Sequence, residues 1–208
     1  MPRVRITVAA CLGVLALSAL ASAPASAAGW MVNGTALSGS QALATTAPVD
    51  ESSVIKGAGV TITCSGKTFN GATPQIESTN KGSAADFEFT ECKASSPCTL
   101  EGKTIKTEAV TLEATLEGTE AVLAKLKPKT GTLFATIGFE GAECAIEGCQ
   151  PVSGTAKVLA PTGQKERTWQ RIEEIQTANG EFKVGSGSAE LSGSALLKLA
   201  NGEPWSLL

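Results

Sequence analysis

The stretch VTLEATLE, Val110 to Glu117, alternates without a break. Val110, Leu112, Ala114 and Leu116 fall on one side. Thr111, Glu113, Thr115 and Glu117 fall on the other. A period of two belongs to a strand with one buried and one wetted face. The pattern recurs: LFATIGF groups Leu133, Ala135, Ile137 and Phe139, and VTITC groups Val60, Ile62 and Cys64. ADFEFTE sets Ala85, Phe87 and Phe89 against Asp86, Glu88 and Thr90. SALLKLA and GTAKVLA read the same way. A chain built from such segments buries its apolar side by pairing strands, which predicts an all-β fold.

The turns agree. Asn-Gly occurs at Asn33-Gly34, Asn70-Gly71, Asn179-Gly180 and Asn201-Gly202. A type I′ hairpin needs positive φ at both central residues, and Asn-Gly supplies it most easily. VNGT and ANGE are therefore hairpin candidates. Short strands at this spacing predict an antiparallel β-sandwich or barrel-like domain. One segment departs. ERTWQRIEEIQTA spaces Trp169, Ile172 and Ile175 by three, which predicts a short amphipathic helix near 165–178, ended by Asn179-Gly180. No shift in composition divides the chain, so residues 28–208 read as a single domain.

Residues 1–27 read as a secretory signal peptide. Arg3 and Arg5 form a basic start, Ile6 to Leu20 an apolar run, and Ala25–Ala27 a small-residue cleavage site. VAAC resembles a lipoprotein box, but Cys11 sits too early in the apolar run. LAPTG (Leu159 to Gly163) resembles a sortase signal with its proline one place late, and reads as a Pro-Gly loop. NGT at Asn33–Thr35 is a glycosylation acceptor only in a eukaryotic secretory pathway. The expected location is secreted or cell-surface.

The net charge of −3 becomes −5 once Arg3 and Arg5 leave with the leader. No basic patch stands out, so neither nucleic acid nor an anionic membrane is an expected partner. No later run is apolar enough for a transmembrane helix. An outer-membrane barrel needs aromatic girdles, and the chain has no Tyr, three Trp and six Phe.

With Cys11 removed, Cys64, Cys92, Cys98, Cys144 and Cys149 remain. In an exported chain the default is disulfides with one thiol left over. Zinc sites favour closer cysteine pairs and often histidine, and the chain has no histidine. Cys64 shares a face with Val60 and Ile62, and Cys144 lies with Ile146. Cys92 falls with polar Glu88 and Thr90 unless its strand has already ended. Chain entropy gives about 3.6 kcal/mol for a Cys64–Cys92 loop and about 2.2 kcal/mol for a local Cys144–Cys149 loop. The favoured scheme is Cys64–Cys92 with Cys98–Cys144. The rival joins each close couple locally and leaves Cys64 free. Cys149 is thus either a free thiol or half of a local bridge.

The run GVTITCSG, FEFTECKASSPC, TLFATIGFEGAECAIEG and LKLANGEPW resembles secreted, β-rich, cysteine-containing proteins of unknown function of actinobacterial type. The resemblance spans Trp30 to the C-terminus. It implies export and a β fold, and assigns no catalytic residue. Four cysteines recur in that group, so Cys149 departs from its pattern.

Without histidine there is no Ser-His-Asp triad and no Cys-His pair. Asp50 and Asp86 are the only aspartates and lie far apart, which argues against a calcium loop. No phosphate-binding glycine loop is present, and no cofactor is expected. The surviving enzyme class is a carbohydrate-active enzyme using a Glu pair. Glu88, Glu91, Glu140 and Glu143, near the cysteines, are its candidates. Solvated strand faces are the simpler reading of them. The favoured expectation is a non-enzymatic binding or structural domain. Its partner would be a glycan, a cell-envelope component or a second copy. Trp30, Trp169 and Trp205 are its possible ligand contacts, with packing at the chain ends as the plainer role.

Overall fold

The computed structural model describes residues 29–44, 52–70, 73–78, 80–117, 121–161, 168, 170–175 and 181–207. The proposed signal peptide lies outside them, as does Trp169. Every regular element among the described residues is a β-strand.

The strands in chain order are β1 (Trp30–Val32), β2 (Thr35–Ala36), β3 (Ser40–Ala42) and β4 (Ser53–Gly57). Next come β5 (Val60–Asn70), β6 (Gln75–Glu77), β7 (Lys81–Ala84) and β8 (Asp86–Ala94). Then follow β9 (Thr99–Leu100), β10 (Ile105–Lys106), β11 (Val110–Glu117), β12 (Ala121–Pro128) and β13 (Leu133–Glu140). The last are β14 (Gly148–Gly154), β15 (Ala156–Pro161), β16 (Gln170–Ile175), β17 (Phe182–Val184), β18 (Gly187–Leu197) and β19 (Trp205–Leu207).

Most of these are halves of longer, interrupted strands. Joined end to end, β3 with β4, β5 with β6, β7 with β8, β9 and β10 with β11, β12 with β13, β14 with β15, and β16 with β17 make seven wall strands. The long β18 is the eighth. Each wall strand pairs antiparallel with its neighbour in sequence, and at two levels. At one level the order is β4, β5, β8, β10, then β13, β14, β17, β18. The bridge Thr107↔Ala135 links β10 to β13, and β18 returns to β4 through Ser192↔Val54 and Leu191↔Ile55. At the other level the order is β3, β6, β7, β11, β12, β15, β16, β18. There Leu43↔Leu199 closes the circuit, flanked by Ala44 N–H to Lys198 O and Ala200 N–H to Ala42 O. The sheet therefore curls into an antiparallel barrel-like wall with the strands in up-and-down order. Of the two architectures expected, this is the barrel.

The interior is apolar. Phe89, Phe134, Phe139, Phe182, Ile62 and Leu191 fill one half with almost no exposure. Each such burial contributes about 1.5–3 kcal/mol. The other half buries Leu43, Ile76, Ala114 and Leu199, and the chain ends stopper it. There β1 pairs with both β2 and β19, setting Trp30, Trp205 and Leu207 against that cluster. Among the described residues Leu133, at 36%, is the one large hydrophobic on the outside.

Three local expectations change. Gln170–Ile175 is a strand, β16, between β15 and β18. Two flanking strands supply its backbone partners, and that pairing overrides the three-residue spacing of its isoleucines. In β13 a bulge shifts the register between Leu133 and Ala135. Phe134 and Ala135 are consequently both buried, and Leu133 turns outwards. Leu159 to Pro161 ends β15 rather than starting a loop, and pairs with Leu123 to Ala121.

Of the Asn-Gly turns, Asn33-Gly34 joins β1 to β2 with φ of 50° and 74°. Two-residue wall hairpins form instead at Ala58-Gly59, with φ of 51° and 79°, between the paired Gly57 and Val60, and at Gly185-Ser186, between the paired Val184 and Gly187.

Candidate functional site

The cysteines come first because the wall fixes them. Cys64 on β5 lies directly opposite Cys92 on β8, and their sulfurs are 2.06 Å apart. Glu91 adopts a left-handed backbone, φ 51°. That kink reverses the alternation after Phe89, so Cys92 points inwards although strand parity alone puts it with Glu88 and Thr90. Cys98, in the turn after β8, bonds Cys144, in the loop after β13, at 2.02 Å. Both pairs follow the favoured scheme. They pin one end of the barrel across three wall strands.

Cys149 is free and exposed on β14, opposite Gly138. The Glu101 side chain lies over Gly138, where any Cβ would strike its carboxylate.

Trp30 and Trp205 are 2% and 1% exposed and pack on each other, ring centroids 5.8 Å apart. The Trp30 indole N–H donates to Lys81 O at 3.1 Å. Neither ring offers a stacking face to solvent, and packing at the chain ends is their role.

The four Glu candidates are scattered. Glu88 is half-buried on β8, and Glu91, Glu140 and Glu143 are exposed. The wall strand carrying β9 and β10 separates the first two from the last two. Among the described residues no three His, Cys, Asp or Glu side chains converge as metal ligands.

A different cluster emerges on the outer wall. Lys125 on β12 pairs directly with Lys157 on β15. Like charges facing each other across strands are destabilising; on its other side Lys125 faces Glu113 of β11. Lys127 follows on the same face, and exposed Lys129 lies just beyond β12. The flanking acids are Glu113, 3.3 Å from Lys127, and Glu181, 3.0 Å from Lys157. The Lys127–Glu113 pair is exposed and worth little, whereas Lys157 is half-buried in its pair with Glu181. The strip leads along the fifth wall strand to exposed Thr130, Thr132 and Leu133.

Four lysines thus lie near one another on the outer wall, interleaved with two glutamates. The net charge averages over the molecule and conceals a local concentration. The signal was KLKPK, where Lys125 and Lys127 share strand parity. Its partner Lys157 comes from a separate strand, which the sequence does not reveal.

Comparison of the chain with protein-family models, with curated proteins and with solved structures finds no match.

Proposed function

We propose that the chain is an exported, non-enzymatic barrel that serves outside the cell or on its surface as a binding or structural component, acting through its outer wall. One observation carries this reading: its own aromatic and aliphatic side chains fill the disulfide-pinned half of the barrel. A protein that works by enclosing a ligand keeps that space open. Two bridges in one chain suit an oxidising compartment. The basic, apolar and small-residue pattern of residues 1–27 supports export in the same sense.

The test is expression of the full chain in a secreting host, followed by non-reducing peptide mapping. The expected product starts at Ala28, lies outside the cytoplasm, and carries both bridges. Cytoplasmic retention with all five thiols reduced would sink the reading. Glycoside turnover abolished by substituting Glu88, Glu91, Glu140 or Glu143 would replace it with the Glu-pair enzyme.

A further inference from the structure

Resting on that reading, we propose that the Lys125, Lys127, Lys129 and Lys157 strip is a docking surface for a linear acidic polysaccharide, a polymer bearing a carboxylate on each sugar. Four cations gather here against Glu113 and Glu181, in a chain whose overall charge is negative. Glu113 stands opposite Lys125 and Glu181 bridges Lys157, so four lysines against two glutamates leave an excess of two positive charges for a polyanion to neutralise.

The layout suits an extended polymer rather than a compact ion. Lys125 and Lys127 sit about 7 Å apart along the strand, and Lys157 roughly 5 Å across from Lys125. The array therefore runs with the wall. Lysine presents a mobile point charge, matched to repeated, loosely placed carboxylates better than to one fixed bidentate partner. Thr130 and Thr132 are exposed at the end of the strip and offer hydroxyls to sugar hydroxyls. Leu133 adds an apolar contact for the face of a sugar ring. No aromatic side chain is exposed among the described residues here, so the strip lacks the stacking platforms that single-stranded nucleic acid uses.

The experiment uses the mature full-length protein and polygalacturonate as probe, read by affinity electrophoresis and by titration at low and moderate salt. Binding is expected at low salt and should weaken steeply as salt screens the strip. The double variant Lys125→Gln/Lys127→Gln should bind about tenfold more weakly or worse, a difference of the size two lost charge contacts produce. Lys93→Gln/Lys103→Gln, which removes two exposed lysines at the disulfide-pinned end, should leave binding unchanged. Unaltered thermal unfolding in both variants separates binding from folding.

The proposal is overturned if wild type ignores polygalacturonate at low salt, or if the control variant loses as much as the strip variant. Equal affinity for polyphosphate of matched charge would also overturn it, since sugar recognition would then add nothing. So would concentration-dependent self-association that the strip variant abolishes while polygalacturonate has no effect, because the occupant would then be a second copy. Failure here with export intact removes only the docking surface. Cytoplasmic retention of a protein that still binds removes only the export reading.

Discussion

Cys149 and the four bridged cysteines make opposite demands on a single substitution. Cys149 is exposed and faces a glycine, so Cys149→Ser should leave the unfolding midpoint within about 0.5 kcal/mol of wild type. Titration of the native protein with a thiol reagent should fall from one reactive group to none. Cys98→Ser with Cys144→Ser opens a loop of sequence separation 46. Its expected cost is about 4 kcal/mol by chain entropy, read from urea unfolding. A change below about 1 kcal/mol would mean that the unfolded chain stays compact without the bridge.

Lys106 carries the one titration argument. Its ammonium lies 2.8 Å from the Asp86 carboxylate, which hydrogen-bonds it and attracts its charge. The Lys106 pKa is raised above 10.5 mainly by that hydrogen bond, with the charge attraction second. A raised folded pKa means that the pair's stabilisation is complete below the unfolded lysine value. It is lost as pH climbs through the folded one. The stability gap between wild type and Lys106→Met should therefore be constant from neutral pH to about 10 and close at higher pH. Urea midpoints across that range measure it, and a gap that closes below pH 9 contradicts the pairing.

At the scale of elements, the Ala58-Gly59 hairpin holds an alanine where the turn needs positive φ. Left-handed backbone costs a residue with a Cβ about 1–2 kcal/mol, and asparagine tolerates it better. Ala58→Asn should raise stability by about 0.5–1 kcal/mol in chemical denaturation. Gly154 is the opposite case. Its φ is 103°, and a Cβ there would collide with the Glu181 carbonyl. Gly154→Ala should cost more than about 2 kcal/mol and loosen the β14–β17 pairing, visible as faster amide exchange at Val184.

Other segments differ in what could be read in advance. VTLEATLE alternates cleanly because β11 runs regularly between β7 and β12. Period and face were therefore legible there. LFATIGF was legible only from Ala135 onward, because a bulge leaves no trace in composition. The stretch Gln170–Ile175 misled because helical spacing of isoleucines says nothing about neighbouring strands. The lysine strip was half visible, as KLKPK. Its like-charged partner Lys157 is placed by register, a property of the assembled sheet.

The whole molecule was least legible. Alternation specifies strands and burial, yet sandwich and barrel use both alike. What separates them is the pairing of the first wall strand with the last, seen in Leu43↔Leu199 and Ile55↔Leu191. No local pattern encodes that closure. The chain-end stopper is testable at the same scale. Trp205→Ala should remove about 3–5 kcal/mol by opening a cavity against Trp30. Tryptophan fluorescence during urea unfolding should show the loss. If Phe182→Ala, in the other half, shifts the tryptophan and far-UV transitions together, the two ends of the barrel unfold as one cooperative unit.

The stopper has a further consequence, which concerns timing. Wall strands that neighbour one another in sequence can zip together as soon as each is delivered, because every such contact is short-range. The β1–β19 ladder cannot. Its halves, Trp30 to Val32 and Trp205 to Leu207, stand at opposite extremes of the described chain. The first of them must wait, with an apolar tryptophan uncovered, until the last arrives. Slow delivery lengthens that wait, so the emerging amino-terminal segment is where a helper protein, or an aggregate, would first take hold.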